Sequence, residues 1–310
     1  MKNLPEELTA QFRELIVEFR DSSLVDISSS CIAKSLELYF KELEECILGG
    51  KLTRASKFLS YACVDESNIQ KMHVYFCAAL EFFQTAMLVH DDIIDGDAVR
   101  RGRSTSRITL GENEALLLGD FVLSAASWCF SKAQVHAQME GVPLVVCSKL
   151  ADIWHKMHRD VILGQVLDAK LVNQPLNQLL RDTNALKSAA ADARKVVRLK
   201  TASYTTVAPA VLGLTLRGAD DTRVEAETVL LEVRKGVEFQ QNNDFKDLQK
   251  DIQTGKVSAL IVELLEKLLL EGEVCAGDQS ILQLLEDFAN SERIIPDQVD
   301  RLRELLERRS

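Results

Sequence analysis

The chain has 310 residues, a hydrophobic content of 46% and a formal net charge of −10, so it is long enough for one large domain or two. It contains only 5 prolines and 14 glycines and is rich in leucine, alanine, glutamate, lysine and glutamine, a composition that favours helices. The acidic balance argues against a nucleic-acid-binding surface. We therefore expect an all-α protein that binds no nucleic acid.

The cysteines and the N-terminus favour a cytoplasmic protein. The seven cysteines include no CxxC pair and no Cys/His cluster at zinc spacing, which is typical of reduced thiols. The N-terminus carries acidic residues among apolar ones, unlike a signal peptide, and no uncharged run approaches the ~20 residues of a membrane span. We expect a cytoplasmic location and no transmembrane segment.

The first predicted helices cover residues 6–20 and 31–48, where apolar residues recur at helical spacing. Gly49-Gly50 is a natural end for the second helix, because glycine accepts positive φ. Lys51 and Arg54 follow at once. Such cations are either ordinary partners of a helix dipole or part of an anion site.

The stretch 80–105 carries the strongest signal. Its residues are apolar nearly all round up to Val89, as in a buried helix, and Asp91, Asp92 and Asp95 follow. Asp91 and Asp95 share one helical face, on which two carboxylates suit a hard divalent cation. Acids at a helix C-terminus oppose the dipole, so this is either a solvated helix end or a site with a compensating cation.

Further along the chain, apolar spacing predicts helices over 112–134, 224–248, about 257–271 and 278–289. The least patterned internal stretch, 171–192, is predicted to be a loop or lid.

Polar residues enter two of the apolar segments. Gln165 and Asp168 share a helical face, either as a surface pair or as part of a site, and their apolar neighbours favour burial. Lys200 enters another apolar segment, where a lysine either meets an anion or extends to the surface.

Together these motifs resemble those of the trans-isoprenyl diphosphate synthases, the chain-elongating prenyltransferases. The matching motifs are GGKxxR at 49–54, DDxxD at 91–95, Arg-Arg-Gly at 100–102, GQxxD at 164–168, Lys-Thr at 200–201 and FQxxDDxxD at 239–247. Ala55 and Asn243 depart from the family pattern, which has proline and aspartate there. The resemblance covers roughly residues 45–260. It implies the isoprenoid synthase fold, a single helical bundle over 1–310 with two aspartate-bearing helices facing a central cavity.

The resemblance also implies a role for each motif. Residues of the reacting centre would be Lys200, Gln165, Asp168 and Gln240. Residues that bind the two diphosphates would be Lys51, Arg54, Gln84, Arg100, Arg101, Thr201 and Lys256. Metal ligands would be Asp91, Asp92, Asp95, Asn243, Asp244 and Asp247. The cofactor would be Mg²⁺, three ions per active site, and the enzyme would be a homodimer.

The implied reaction joins an allylic diphosphate to isopentenyl diphosphate head to tail. One helical turn rises about 5.4 Å, close to one isoprene unit, so residues four, five and eight before Asp91 form rungs below the metal site. These rungs are Met87, Ala86 and Phe83. Only the deepest rung is aromatic, which predicts geranylgeranyl diphosphate as product, with farnesyl diphosphate a close second.

Asn243 leaves two alternatives open. Asn243, Asp247 and Asp251 recur every four residues, a spacing close to the metal triad of class I terpene cyclases, which act on one allylic diphosphate. The lost charge also fits a weakly active regulatory subunit of a heteromeric synthase. Lys51, Arg54 and Arg101 argue against the cyclase, because a cyclase needs no second diphosphate site.

Overall fold

The computed structural model describes residues 4–24, 30–48, 50–218, 222–254 and 257–269, together with Gln283 and Leu285. The α-helices in these ranges are α1 Leu4–Leu24, α2 Ser30–Leu48, α3 Thr53–Ala62, α4 Lys71–Ile94, α5 Ser106–Leu110, α6 Glu112–Met139, α7 Leu144–Val172, α8 Leu176–Arg181, α9 Thr183–Val196, α10 Ala208–Leu216, α11 Thr222–Thr254 and α12 Ala259–Leu269. A 3₁₀ turn spans Glu66–Asn68, and a π-helix spans Val197–Val207. Two short strands, β1 Val99–Arg100 and β2 Arg103–Ser104, pair antiparallel. The predicted all-α class is confirmed.

The chain forms two compact units. The first comprises Met1–His155 and Ala208–Val229, and the second comprises Lys156–Val207 and Leu230–Ser310. In the first unit α4 packs most extensively against α6, and α3 packs against α4 and α10. In the second unit α9 packs against α12. The single domain expected over 1–310 stays a prediction.

Helix α4 is the central helix of the first unit. The backbone N–H of Gln70 donates to Nδ1 of His73, and the Gln70 side chain caps the first turn in return. Every residue from Met72 to Phe83 is buried, because α1, α2, α3 and α6 all pack against this helix. This apolar helix is therefore packed on all sides, and the packing fixes the position of its acidic C-terminal end.

The second unit corrects one expectation, because the predicted loop over 171–192 is largely helical. Asp182 caps α9 by accepting hydrogen bonds from the backbone N–H groups of Asn184, at 2.9 Å, and Ala185, at 3.1 Å. The buried face of α9 is built mainly from Leu186 and three alanines at 189, 190 and 193. Alanines give a weak hydrophobic signal beside many polar residues, so the spacing of apolar residues does not reveal this face.

The remaining helix predictions agree with α1, α2, α6, α11 and α12 to within a few residues, except that α6 continues to Met139 and α11 to Thr254. The predicted helix 278–289 lies outside the described residues apart from Gln283 and Leu285.

By length and composition alone, two described helices could cross a membrane. They are α4, whose apolar window is 83% buried, and α6, whose window is 44% buried. A core helix passes the same test, and α4 is one. The expected absence of a transmembrane segment stays a prediction.

Candidate active site

The acidic end of α4 leads into the β1–β2 hairpin. Asp95 is the C-cap residue, and its backbone N–H donates to the carbonyl of Asp91 at 2.8 Å. The hairpin turn consists of Arg101 and Gly102, with φ of 53° and 77°. Positive φ at both positions is what a two-residue type I′ turn requires, so the glycine is needed here for its backbone.

Arg100 in β1 turns back onto the acidic helix end. Its Nη2 lies 2.6 Å from the carboxylate of Asp92, 3.8 Å from that of Asp97 and 3.9 Å from that of Asp91. Asp92 is buried; burial raises the pKa of its carboxyl, and the contact with Arg100 opposes this rise. One guanidinium therefore joins three carboxylates, and Asp92 is its main partner.

The basic residues after α2 are connected to α4 in the same unit. Nη1 of the buried Arg54 donates to Oε1 of Gln84 at 2.5 Å. The neighbouring Lys51 is exposed. A Cβ built on Gly50 would lie 3.5 Å from Nη1 of Arg101, so this arginine extends over the end of α2. Arg54, Gln84 and Arg101, predicted to serve one diphosphate, thus lie in one region of the first unit.

This region contains a cavity of about 130 Å³. Its walls come from the end of α2, from one face of α4 and from the hairpin. The lining includes Glu81, Gln84, Asp92, Arg100 and Arg101. The guanidinium groups in this lining are the donors that suit an anion held by several hydrogen bonds, while the carboxylates beside them balance part of their charge.

The three predicted rungs lie on α4. Phe83 and Ala86 are fully buried, and Met87 is partly exposed. The Phe83 ring packs edge-on against Trp154, with centroids 5.9 Å apart. Trp154 in turn stacks on Phe130 at 4.6 Å. The deepest rung is thus supported by an aromatic pair that sequence reasoning did not find.

The second unit brings the other predicted residues together. Nζ of Lys200 lies 2.6 Å from the carboxylate of Asp168. Thr201 donates its hydroxyl to Oε1 of Gln240, and Nε2 of Gln240 donates to the carboxylate of Asp244, both at 2.5 Å. These five residues come from α7, the π-helix and α11, so three elements converge on one polar cluster.

Two glycines allow this convergence. A Cβ on Gly164 in α7 would lie 2.3 Å from the backbone nitrogen of Lys200, and a Cβ on Gly236 in α11 would lie 2.4 Å from the Cβ of Ala202. Larger residues would push both helices away from the π-helix. π-helical segments are rare and occur frequently at functional sites.

Asp244 lies in a crowded acidic environment. Its pKa is raised to about 7, mainly by burial and further by the carboxylates of Asp251 and Asp168, while the hydrogen bond from Gln240 and the charge of Lys200 oppose the rise. A nearby cation would stabilise the ionised form of this carboxyl group, because it relieves the repulsion between the like charges.

Several predicted residues have less defined surroundings. Gln165 follows Gly164 on α7 and is partly buried. Its apolar neighbours, which favoured burial of this segment, are about half exposed at Ile162, Leu163 and Val166. Gly164 itself is buried against the backbone of the π-helix. Asn243 is partly buried on α11. The side chain of Asp247 and all of Lys256 lie outside the described part of the chain.

The donor chemistry fits Mg²⁺ in each unit taken separately. The first unit offers Asp91 and Asp95 one turn apart, and the second offers Asn243 and Asp244; all four are oxygen donors. No three His, Cys, Asp or Glu side chains among those described lie close enough to hold a metal ion without further ligands. Such sets suit a cation that takes its remaining ligands from phosphate and water.

Comparison with known proteins gives a consistent result. Residues 37–271 match the polyprenyl synthetase family. Farnesyl pyrophosphate synthase vrtD of Penicillium aethiopicum is 26% identical over 279 residues, which cover 84% of this chain and 75% of that protein. Geranylgeranyl diphosphate synthase of Methanosarcina mazei is 27% identical over 249 residues, with 76% and 70% covered.

The fold is also that of a solved structure. Geranylgeranyl pyrophosphate synthase from Corynebacterium glutamicum, complexed with isoprenyl diphosphate and magnesium, superposes with a TM-score of 0.71 at 21% identity, covering 97% of this chain and 86% of that one. At this identity the likeness establishes the isoprenoid synthase fold. Fold and motifs together define a prenyltransferase. The chain belongs to the polyprenyl synthetase family, and its activity is that of a polyprenyl diphosphate synthase.

Proposed function

We propose that this enzyme condenses an allylic diphosphate with isopentenyl diphosphate, in a Mg²⁺-dependent head-to-tail reaction that forms geranylgeranyl diphosphate. Farnesyl diphosphate is the second candidate product. One observation carries the proposal: the buried Arg54 is held by Gln84 at 2.5 Å in the unit that also contains the cavity lined by Arg100 and Arg101. A second diphosphate site of this kind serves a condensing enzyme.

In the proposed reaction, the allylic carbon–oxygen bond breaks, the double bond of isopentenyl diphosphate attacks the resulting cation, and a proton leaves. The released diphosphate is the proposed proton acceptor. Arg54, Gln84 and Arg101 orient the second substrate, and Lys200 neutralises charge on the leaving group. Mg²⁺, when bound, supplies further positive charge to the leaving diphosphate. We propose three ions per active site, with Asp91, Asp95 and the residues of the second acidic motif among their ligands.

Product analysis tests this function. The purified chain is incubated with Mg²⁺ and dimethylallyl, geranyl or farnesyl diphosphate, each with and without isopentenyl diphosphate, and the products are identified by mass spectrometry. We expect elongated diphosphates only when isopentenyl diphosphate is present. A hydrocarbon formed from the allylic substrate alone would instead support the terpene cyclase alternative that Asn243 left open. A chain with no turnover until Asn243 is replaced by aspartate would support the regulatory subunit.

We also propose that the enzyme is a homodimer joined through α6. Leu116, Leu117, Val135 and Met139 are exposed along α6, and Met139 is 75% exposed. The hydroxyls of Ser127 and Ser131 on the same helix donate to backbone carbonyls one turn earlier, so their hydrogens are satisfied within the helix. A helix this apolar is stabilised by covering its outer face, and a second copy of the same face would cover it.

Sedimentation analysis tests the dimer. Val135→Arg should convert dimer to monomer, whereas Gln138→Arg, which adds the same charge at an already polar and exposed position of α6, should not. A monomeric wild-type chain, or one that binds neutral phospholipid vesicles through α6, would contradict the dimer.

We further propose that the enzyme is cytoplasmic. The described cysteines Cys46, Cys63, Cys77, Cys129 and Cys147 are free thiols, as expected in a reducing compartment. Cell fractionation tests this.

A further inference from the structure

The helix that carries Arg54 has an unusual N-terminus. The N-cap residue of α3 is Leu52, which adopts a left-handed conformation with φ of 46° and makes no side-chain capping bond. This conformation is unfavourable for a residue with a Cβ. The start of α3 therefore needs stabilisation from elsewhere in the protein.

Glu81 of α4 supplies it. Oε1 of Glu81 accepts hydrogen bonds from the backbone N–H groups of Arg54 and Ala55, both at 3.0 Å. Counted from Leu52, these are the second and third helical residues, the two donors that an N-cap side chain normally satisfies. A residue 27 positions away thus acts as the cap of α3, and its negative charge also suits the positive end of the helix dipole.

Glu81 and Gln84 act on the same residue. They are three positions apart on α4, so they share a face. Glu81 holds the backbone of Arg54, and Gln84 holds its guanidinium. Glu81 also lines the cavity that Gln84 and Arg101 line.

The carboxylate is placed at an energetic cost. Glu81 is 4% exposed, and burial raises its pKa, while Arg54, the two backbone donors and Arg101 oppose the rise. Apolar packing alone would be met by leucine or phenylalanine, as at the neighbouring positions of α4. A carboxylate in this interior is accounted for by the two donors and two guanidinium groups around it.

We propose that Glu81 is a positioning residue for the isopentenyl diphosphate site, which it serves by fixing the start of α3 and hence the direction of Arg54. This inference rests on the proposed function. It predicts that loss of Glu81 weakens the binding of isopentenyl diphosphate and leaves the binding of the allylic diphosphate unchanged.

Steady-state kinetics with two variants tests the role. Glu81→Ala removes the acceptor and should raise KM for isopentenyl diphosphate at least about tenfold, with KM for the allylic diphosphate unchanged. Glu81→Gln keeps an acceptor oxygen but loses the charge, and a rise of about threefold is expected. If Glu81→Ala does not fold, Glu81→Gln alone decides. Amide hydrogen exchange should be faster at Arg54 and Ala55 in either variant.

Asp182→Ala is the matched control, because Asp182 also accepts hydrogen bonds from two backbone N–H groups at a helix start, that of α9. It should lower Tm and leave both KM values unchanged. Glu81 variants that lower only Tm, or that change both KM values equally, would overturn the positioning role.

The proposed function and the positioning role of Glu81 can be contradicted independently of each other. If the wild-type chain makes no product from the two diphosphates, the proposed function fails. Calorimetric titration with inorganic pyrophosphate then decides the role of Glu81. Weaker binding by Glu81→Gln than by the wild type supports it, and equal binding overturns it.

Discussion

Nη2 of Arg100 lies 2.6 Å from the carboxylate of Asp92, so a predicted diphosphate ligand and a predicted metal ligand are paired with each other. Asp92 is also the most buried acid of its motif. The pairing indicates that the three aspartates of the motif are not equivalent, and it makes their separate contributions measurable.

Asp92→Asn should therefore destabilise the protein by about 2 kcal/mol, because the charged hydrogen bond to Arg100 is lost, while the Mg²⁺ concentration for half-maximal activity changes little. Asp91→Asn should do the reverse, raising the Mg²⁺ requirement by about tenfold or more with a small change in stability. Chemical denaturation and Mg²⁺ titration of activity measure both effects. Equal Mg²⁺ requirements in the two variants would contradict the distinction.

The aromatic contact below Phe83 predicts a stepwise change in product length. Phe83→Ala removes the ring at the deepest rung and leaves Trp154 as the next aromatic side chain below it. The main product should therefore lengthen by one isoprene unit and no more. Phe83→Ala combined with Trp154→Ala should lengthen it further. Mass spectrometry of the dephosphorylated products measures the distribution. Phe82→Ala is the control, because Phe82 is equally buried but contacts Phe12 instead; it should destabilise the fold without changing product length.

Gly164 should not tolerate alanine. The added Cβ would meet the backbone of Lys200, which cannot move without disturbing the π-helix, so we expect a loss of about 3 kcal/mol in stability and about 100-fold in kcat/KM. Gly119→Ala is the comparison, because the three atoms nearest to its Cβ would all belong to the side chain of His90. A ring can rotate away, so this variant should lose about 1 kcal/mol. Similar losses in both would show that the backbone clash is not decisive.

His73 should make stability depend on pH. It is 5% exposed, and burial lowers its pKa from 6.5 to about 4. Between these values the unfolded chain binds more protons than the folded one, so stability falls as pH falls from about 6.5 to 4, by about 3 kcal/mol. His73→Gln can keep the capping interaction with Gln70 but does not titrate. The difference in unfolding free energy between the wild type and His73→Gln should change as the pH falls from about 6.5 to 4. A difference that stays constant over these pH values would contradict the prediction.

Asn243→Asp should strengthen metal binding. The variant restores the charge that the family motif has at this position, and we expect a several-fold lower Mg²⁺ concentration for half-maximal activity. Asn242→Asp adds the same charge at the preceding, exposed position and should have no such effect. Equal effects of the two variants would point to general electrostatics instead of a ligand.

The sequence predicts the parts of this protein that depend on local pattern. Long helices with large apolar residues, such as α4, follow from spacing alone. Helix α9 does not, because its buried face consists largely of alanines. The π-helix, the Phe83–Trp154 contact and the cap that Glu81 provides depend on which elements pack together. Glu81 is nevertheless conspicuous in the sequence, because it is the only Asp, Glu, Lys or Arg between Lys71 and Asp91.

The turn at Arg101 and Gly102 has a consequence for the adjacent arginines. Because the chain reverses between β1 and β2, Arg100 points to the acids of α4, while Arg101 extends toward Gly50. Consecutive residues of identical chemistry thereby reach two different places. Lengthening the turn by one residue would shift the register of β2 against β1 and change where the residues after the turn point. The two-residue length of this turn is therefore what lets two adjacent arginines contact different groups.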